Sequence, residues 1–588
     1  MAEIQELSEV AGPKVTSKKS IYAHIEASLK RAPDERAAIV VHQSTDHLAP
    51  LTRDQERGQA NGTINGSAGC LVWSYAQLQS ASLKLAKALH ARGVKTGDTV
   101  ATLIPNGIEY LLLLWSAAIL KYTLASLDAG AVGRTRSVEL QSYLRRLKPV
   151  VIVISNTEGS KTIDDALGGQ AQAPLLKLRL DTQPMQSTSN GWTTLLDFAT
   201  DRSAETVATE PLLQNARSNN PDYNSLILFT SGTSSGKPKG CPRHVGSTTH
   251  FLETQAFARD KAQVGGRYLL QTANFRIIAP SMALAAWKDG AAVVMPGPTF
   301  TPDGVLDAVE RHHVSSILMI PAQMHALVGH PSFNDRKLDS IKDVMIGADM
   351  ITKDLCAKCM SSFPLANFRV GHGMTEGGGL FEWPFWEPGH EIEFYDEIAP
   401  LGKVTKGARL RVVGEDGKPV RRGESGELHV CANSVIRHYL DNEHADSFYR
   451  DEHGQWFKTG DTGMINKDGI VYILGRSKDI IKRAGVSITP AAIEGALQKY
   501  TGSQVAVLAV AHVTLGQEPF AIVGSFAGKS VEDLKQRVID VFNKDFALAG
   551  ACEIAELGLA EFPLNATGKI QKLELQQALA KYLESKCS

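Results

Sequence analysis

The segments of this chain alternate between helix-like and strand-like patterns, and this alternation constrains the fold more than any other feature. WSYAQLQSASLKLAKALHARGV (73–94) predicts an amphipathic helix, DTVATLI (98–104) predicts a strand, and IEYLLLLWSAAIL (108–120) predicts a buried helix. This alternation, from residue 21 to about 153, indicates a parallel sheet with helices on its faces. A second unit of this kind is expected over about 225–370, so the predicted fold class is α/β.

The pattern of the sequence changes after Ile398. LRVVGEDGKPVRRGESGELHV (410–430) and GIVYILGR (469–476) are typical of short strands joined by tight turns. They predict a β-rich subdomain over about 398–476. From residue 479 onward helices and strands alternate again, and we expect a small α+β C-terminal domain over 479–588.

Three polar stretches are expected to lie outside the folded core. The first twenty residues, MAEIQELSEVAGPKVTSKKS, have no apolar segment and predict a flexible tail over 1–20. Residues 44–68 are polar and glycine-rich, and residues 155–190 look irregular, so we expect both to be exposed excursions. The large folded domain is therefore expected over 21–477.

Composition and charge exclude several classes of function. A chain of 588 residues is too long for one core, so two or three domains are expected. The net charge of −1 gives no electrostatic reason to expect nucleic acid or an anionic membrane as a partner. The longest apolar run, Tyr110 to Leu120, is far shorter than the roughly 18 residues that a membrane span requires. Without a signal-peptide core or a cysteine framework, the chain is expected to be cytoplasmic.

The stretch FTSGTSSGKPKG (229–240) has the chemistry of a phosphate-binding loop. It follows the apolar run at 226–229, so it lies where a predicted buried strand ends. Its glycines let the backbone approach an anion, while hydroxyls and lysines add donors and charge. It is not a P-loop, because three residues rather than four separate Gly232 from Gly236 and Pro238 occupies the hydroxyl position. The candidate phosphate-binding residues are Thr230, Ser231, Gly232, Thr233, Ser234, Ser235, Gly236, Lys237 and Lys239.

Four further stretches carry polar residues on glycine-containing turns. In GHGMTEGGG (371–379) the Glu376 carboxylate beside the Thr375 hydroxyl suits a hard cation such as Mg²⁺. In FKTGDTG (457–463) a tight turn presents Asp461, whose carboxylate could accept from two sugar hydroxyls. The last two stretches, GRSKDIIKRAGVSITPAAIE (475–494) and PLNATGKIQK (563–572), carry Arg476 and Lys569 respectively.

The order of these motifs resembles the adenylate-forming superfamily. The phosphate loop is followed by MTE, TGD, GR-x-K-D and N-x-T-G-K, as in acyl-CoA synthetases, peptide-synthetase adenylation domains and luciferases. The resemblance covers essentially the whole chain and is closest in layout to a free-standing acid–CoA ligase. It implies a large N-terminal domain of two α/β sheet subdomains and a β-rich subdomain, with a small mobile C-terminal domain that rotates about Lys478.

The resemblance also implies a role for each motif. The loop at 230–240 would hold the β- and γ-phosphates of ATP, Thr375 would contact the α-phosphate, and Glu376 would ligate Mg²⁺. Lys569 would reach both the attacking carboxylate and the α-phosphate. The rest of the nucleotide site would comprise Gly347, Ala348 and Asp349 at the adenine, His372 in place of the usual aromatic, Gly373, Met374, and Asp461 and Arg476 at the ribose.

The implied reaction has two halves. A carboxylic acid attacks ATP to give an acyl-adenylate and pyrophosphate, and the acyl group then passes to coenzyme A with release of AMP. After the rotation, Lys482 and Gly485 would lie on the thiol-acceptor side. A separate carrier protein loaded in trans and an amine stay open as alternative acceptors. A non-catalytic nucleotide-binding regulator is disfavoured because the implied catalytic and nucleotide-binding residues are all present.

The sequence specifies the carboxylic acid substrate less closely than it specifies the nucleotide. The resemblance places Phe275, Arg276, Gly377 and Gly378 at the acyl pocket, and Arg276 stands where many relatives have histidine. Arg276 would either pair with a second acidic group of the substrate or face solvent. The glycines after Glu376 and nearby aromatic residues favour a small carboxylic acid that is aromatic or of medium length.

Overall fold

The elements below are taken from a computed structural model. It describes residues 6–15, 19–52, 69–132, 137–168, 174–181, 191–219, 223–230, 238–255, 264–386, 391–395, 397–484, 486–564 and 570–587. The α-helices are α1 (Ile21–Arg31), α2 (Ala49–Thr52), α3 (Tyr75–Ala91), α4 (Ile108–Leu120), α5 (Ser137–Leu147), α6 (Glu158–Leu167), α7 (Leu195–Ala199), α8 (Thr209–Arg217), α9 (Val245–Thr254), α10 (Ile278–Asp289), α11 (Pro302–His312), α12 (Pro321–Val328), α13 (Lys353–Ser362), α14 (Pro490–Thr501), α15 (Val531–Val541) and α16 (Lys572–Cys587).

The strands are numbered in chain order in the same way. They are β1 (Glu9–Ala11), β2 (Arg36–Val40), β3 (Leu71–Ser74), β4 (Thr99–Leu103), β5 (Thr123–Ser126), β6 (Val151–Ile154), β7 (Leu176–Arg179), β8 (Trp192–Thr194), β9 (Asn224–Phe229), β10 (Gly240–His244), β11 (Arg267–Leu269), β12 (Ala292–Met295), β13 (Ser316–Met319), β14 (Asp343–Gly347), β15 (Asn367–Gly371), β16 (Gly373–Met374), β17 (Gly377–Gly378), β18 (Phe381–Glu382), β19 (Lys403–Val404), β20 (Ala408–Val413), β21 (Ser425–Ala432), β22 (Phe448–Asp451), β23 (Gly454–Ile465), β24 (Val471–Arg476), β25 (Ile481–Arg483), β26 (Val486–Ile488), β27 (Val505–His512), β28 (Gly516–Val523) and β29 (Gly550–Glu553).

Two sheets of seven strands form the larger part of the fold. The strand order is β10-β9-β5-β4-β6-β7-β8 in the first sheet and β15-β14-β13-β11-β12-β2-β3 in the second. Neighbouring strands run parallel within both sheets, while β9–β10 and β2–β3 at their edges are antiparallel. The predicted α/β fold class is therefore confirmed.

The main core lies where helices pack between these two sheets. Helix α4 is buried along its whole length, as its continuous apolar sequence predicts, and α3 packs against it. The aromatic rings of Tyr75, Trp115 and Trp287 pack edge to face at centroid distances of 6.1 and 4.8 Å. These rings belong to one apolar cluster that contains side chains from both sheets. Burial of that shared surface stabilises one sheet against the other.

The β-rich region follows the prediction, but it also includes part of the expected tail. Its sheet has the order β1-β20-β21-β23-β22, with β24 paired to β23. Strand β1 pairs antiparallel with β20, where Glu9 lies opposite Arg411 and forms an ion pair of 3.1 Å with it. The structure therefore differs from the predicted flexible tail at residues 9–11, because β20 offers this segment a strand edge.

The two predicted excursions also differ from expectation where the structure describes them. Helix α6 and strand β7 lie within 155–190, and β7 extends the first sheet beside β6. Residues 49–52 form α2, whose Leu51 is fully buried. Residues 53–68 and 182–190 lie outside the described residues.

The C-terminal part forms a separate small sheet with helices on both faces. Its strand order is β26-β25-β28-β27, with β29 paired to β28. Helices α14 and α15 share one apolar cluster with this sheet, and α16 shares another. A large N-terminal domain and a small C-terminal α+β domain are thus confirmed, while the hinge at Lys478 stays a prediction. None of the helices in the described ranges combines the length and the apolar character that a membrane span requires.

Candidate active site

The candidate adenine residues lie where β14 ends beside β15. Gly347 is opposite Gly371 in the parallel register, and a Cβ on Gly347 would collide with the carbonyl oxygen of Gly371. The next residue, Ala348, has φ of 67°, a left-handed conformation that is costly for a residue with a side chain. Asp349 follows it on the surface. The close contact between β14 and β15 and the strained turn after β14 together determine the backbone conformation at this edge of the sheet.

Thr375 and Glu376 form the turn of a short hairpin. Strands β16 and β17 pair Gly373 with Gly378 and Met374 with Gly377. Thr375 and Glu376 are therefore the two residues of the turn that joins the strands. Gly373 is exposed, and a Cβ added there would meet no atom within 4 Å. The hairpin therefore has an open side where a ligand could approach its backbone.

The imidazole of His372 lies at the start of this hairpin. Its ring packs edge-on against Phe381 at a centroid distance of 5.2 Å. Burial and the charge of Arg476 lower the pKa of His372 to about 4, so the ring is neutral at pH 7. Its Nδ1 is buried and has no hydrogen-bond partner among the described residues. A flat, neutral ring suits the stacking role that the family resemblance implies.

Two side chains form hydrogen bonds to the Thr375–Glu376 turn. The hydroxyl of Tyr439 donates to Glu376 Oε1 at 2.7 Å, and burial beside this carboxylate raises the pKa of Tyr439 far above its usual value. The guanidinium of Arg243, only 2% exposed, donates to the Thr375 carbonyl at 3.4 Å. Burial lowers the pKa of Arg243 to about 10, which leaves it cationic at neutral pH. The carboxylate of Glu376 thus has a fixed hydrogen-bond donor and a buried cation nearby.

The two predicted ribose residues face each other across neighbouring strands. Asp461 on β23 lies opposite Arg476 on β24, and their charged atoms are 3.2 Å apart. Arg476 also donates to the carbonyl of Thr459 at 3.1 Å, although 55% of its side chain is exposed. The charge of Arg476 also acts on His372, so the structure brings these three predicted residues to one region.

Only the ends of the predicted phosphate loop are described. The amide of Thr230 donates to the Lys239 carbonyl at 3.0 Å, which joins the two ends. The ammonium of Lys239 lies 5.1 Å from the ring centroid of Tyr439, whose hydroxyl binds Glu376. The predicted site residues outside the described ranges are Ser231, Gly232, Thr233, Ser234, Ser235, Gly236, Lys237, Gly485 and Lys569.

The predicted acyl-pocket residues lie in the turn before α10 and on strand β17. The guanidinium of Arg276 lies over the ring of Phe275 at 4.9 Å, and burial lowers the pKa of Arg276. Gly377 and Gly378 are buried, and a Cβ on Gly378 would lie 3.8 Å from the Phe251 ring. Arg276 is half-buried, and pairing with a substrate acid stays a prediction.

The predicted hinge residue Lys478 and the acceptor-side residue Lys482 lie where the chain enters the C-terminal sheet. Lys478 is exposed, between the end of β24 and the start of β25. Lys482 lies 3.5 Å from Glu415 on the turn between β20 and β21. The conformation described here therefore places Lys482 against the β-rich region.

Sequence reasoning missed Tyr439 and Arg243. Tyr439 lies 63 residues beyond Glu376, and Arg243 lies 132 residues before the carbonyl that it contacts. Neither residue belongs to a glycine-rich or hydroxyl-rich stretch, so no local pattern marked them. The one local signal for Arg243 is its position, because it is a cation three residues after the end of the phosphate motif.

Comparisons with known proteins show which family the chain belongs to. The sequence model of the family described as AMP-binding enzyme matches residues 63–440. An acyl–CoA ligase of Pestalotiopsis microspora is 36% identical over 99% of this chain and 100% of its own length. A 4-coumarate–CoA ligase of Arabidopsis thaliana is 26% identical, covering 92% of both chains. The chain belongs to the AMP-binding enzyme family, and the resemblance to adenylate-forming enzymes is confirmed.

Solved structures share the fold over nearly the full length. An anthranilate–CoA ligase in complex with anthranoyl-AMP has a TM-score of 0.74 and 18% identity, with 96% of this chain and 98% of that chain covered. O-succinylbenzoate coenzyme A synthetase from Bacillus subtilis, in complex with ATP and magnesium ion, has a TM-score of 0.71 and 20% identity. That comparison covers 94% of this chain and 99% of that chain.

Proposed function

We propose that this protein is an acid–thiol ligase that works in two half-reactions. It activates a carboxylic acid with ATP to an acyl-adenylate with release of pyrophosphate. It then transfers the acyl group to coenzyme A and releases AMP. The observation that carries this proposal is the convergence of Glu376, His372 and the Asp461–Arg476 pair in one region. Full-length similarity to an acyl–CoA ligase supports the same reaction.

The first half-reaction depends on positioning and charge. A carboxylate is already nucleophilic, so it attacks the α-phosphorus without a general base, and the bond to pyrophosphate breaks. Two anions meet in this step, and Lys569 would offset their repulsion in the transition state. Lys239 adds a cation beside the turn that carries Glu376.

The donor set at Glu376 fits a magnesium ion that is shared with nucleotide phosphates. Among the described residues, no group of three or more His, Cys, Asp and Glu side chains could hold a metal ion. A single carboxylate still fits, because Mg²⁺ is usually bound by one or two carboxylates together with water and substrate phosphates. When bound there, Mg²⁺ would neutralise charge on the departing pyrophosphate. The role of Tyr439 would be to hold the Glu376 carboxylate in one orientation.

Replacement of Tyr439 by phenylalanine tests that role. Tyr439→Phe removes the hydroxyl that donates to Glu376 and keeps the ring between Lys239, Phe448 and Phe457. We expect the Mg²⁺ concentration for half-maximal ATP–pyrophosphate exchange to rise about three- to tenfold, as for one lost charge-assisted hydrogen bond. The control is Tyr449→Phe on the nearby strand β22, because the Tyr449 hydroxyl contacts Arg411 and His429 instead. An unchanged Mg²⁺ requirement in Tyr439→Phe would show that the hydrogen bond does not position the metal ligand.

An aromatic acid is the proposed substrate class. Coumarate and ferulate appear in the names of ligases that are 26% and 27% identical to this chain. In this chain the buried Gly378 places no side chain against the Phe251 ring, and Phe275 lies in the segment predicted to line the pocket. These features support a flat substrate.

Pyrophosphate release from a panel of acids, with and without coenzyme A, tests both substrate and acceptor. Aromatic and medium-chain acids should release pyrophosphate only with ATP and Mg²⁺, and coenzyme A should convert this release into steady turnover to a thioester. Acid-dependent ATP–pyrophosphate exchange without any thioester would point to another acceptor. No exchange with any acid would contradict the adenylation reaction itself.

A further inference from the structure

Arg146 on helix α5 joins four residues near the candidate nucleotide site. Its Nε and Nη2 each lie 2.8 Å from a carboxylate oxygen, of Asp441 and Glu443 respectively. Its Nη1 donates to the Pro238 carbonyl at 3.0 Å, and its guanidinium carbon lies 5.4 Å from the centroid of the Phe229 ring. Only 14% of the side chain is exposed. All three nitrogens of this guanidinium therefore bind an oxygen, while its planar face lies over an aromatic ring.

Two of these contacts are at the ends of the predicted phosphate loop. Phe229 is the last residue of β9, and Pro238 lies two residues before β10. Phe229 is also held by Tyr143, one turn earlier on α5, at a ring centroid distance of 4.4 Å. Helix α5 thus fixes the residue before the loop through its aromatic ring and the residue near its end through its backbone.

The other two contacts are on a strained turn that follows Tyr439. Asp441, Asn442 and His444 have φ values of 59°, 57° and 52°, a left-handed conformation that residues with side chains adopt only when their surroundings impose it. Leu440 lies against Gly240, where a Cβ would be 2.8 Å from the Leu440 Cβ. Ion pairs from Arg146 to Asp441 and Glu443 contribute restraint to this turn, because a guanidinium is a rigid planar donor.

We propose that Arg146 is a positioning residue for the nucleotide. It ties the ends of the phosphate loop to the turn at 439–444, and Tyr439 at the start of that turn holds Glu376. Arg146 thereby sets the distance between the phosphate-binding segment and the metal-binding carboxylate without touching ATP itself. This inference rests on the proposed function, since it assumes that ATP binds between these two elements.

Arg146→Ala should weaken the binding of ATP and leave the acid unaffected. We expect the KM for ATP in ATP–pyrophosphate exchange to rise about tenfold, which corresponds to ~1.4 kcal/mol, while the KM for the acid changes less than about twofold. Arg146→Lys should show an intermediate rise, because a lysine keeps the charge but cannot bind two carboxylates and a carbonyl in one plane. The matched control is Arg145→Ala, an exposed arginine on the same helix, which should keep the wild-type KM for ATP.

A charge effect can be separated from positioning. Removal of Arg146 alone leaves the carboxylates of Asp441 and Glu443 near the phosphates, and their charge would itself repel ATP. In the triple variant Arg146→Ala/Asp441→Asn/Glu443→Gln this excess charge is gone, and positioning requires that the KM for ATP stays raised. Recovery of the wild-type KM in the triple variant would overturn the positioning role.

A binding measurement separates this inference from the proposed function. The rise in melting temperature that MgATP produces should be smaller in Arg146→Ala than in Arg145→Ala and the wild type, whether or not an acid is turned over. A wild-type protein that MgATP does not stabilise and that exchanges no pyrophosphate would overturn the proposed function and this inference together. An active wild type and an Arg146→Ala variant with equal KM and equal stabilisation by MgATP would overturn the inference alone.

Discussion

Replacement of Glu376 by glutamine should slow acyl-adenylate formation by about two orders of magnitude or more while the protein stays folded. The amide oxygen of glutamine can still accept the hydrogen bond that Tyr439 donates, so the shape of the turn is kept. What is lost is the negative charge, and a neutral amide is a far weaker ligand for Mg²⁺ than a carboxylate. Slower acyl-adenylate formation in this variant would therefore reflect weaker Mg²⁺ binding and not a change in packing.

ATP–pyrophosphate exchange, measured over a series of Mg²⁺ concentrations, checks this expectation. The control is Glu382→Gln, which removes an exposed carboxylate on the nearby strand β18. It should keep both the rate and the Mg²⁺ dependence of the wild type. Near-normal exchange in Glu376→Gln with an unchanged metal requirement would show that another group binds the metal.

The second large effect separates the two half-reactions. Lys569, by the family resemblance, acts only while the carboxylate attacks ATP. Lys569→Ala should therefore abolish acyl-adenylate formation, by about two or more orders of magnitude. It should leave transfer from a supplied acyl-adenylate to coenzyme A largely intact. Lys581→Ala, which removes an exposed lysine of α16, is the control for a general effect of lost charge.

Lys478→Pro should have the opposite effect to Lys569→Ala, with adenylation kept and thioester formation lost. Lys478 lies between β24 and β25, where the chain passes from the large to the small domain. Proline would fix φ near −65° and restrict Ser477 before it, so the proposed rotation would be blocked. We expect pyrophosphate exchange to continue while thioester formation stalls, and the effect of proline should exceed that of Lys478→Ala.

Both lysine variants should be assayed in both half-reactions with the same acid. Loss of the same half-reaction in the two variants would contradict the rotation mechanism. So would thioester formation at the normal rate in Lys478→Pro. Opposite losses in the two variants would support a rotation of the small domain between adenylation and thioester formation.

The elements that were predicted correctly are those whose signal is local. Helix α4 was visible because an apolar run of helical length can only be buried, and α3 because its apolar residues recur along one face. The family was visible because each motif is a short stretch of glycines, hydroxyls and charges whose order along the chain can be read directly.

The tertiary structure decided what depends on residues far apart in the chain. Strand β1 pairs with β20 about 400 residues away, although the first twenty residues contain no apolar run that would predict a strand. Tyr439 reaches Glu376 and Arg146 reaches Asp441 across 63 and 295 residues. A local pattern shows whether a residue is apolar or charged, but not which partner the packed elements bring to it. The amino-acid order therefore determined the fold class and the motifs, and only the packing of sheets and helices decided which side chains support them.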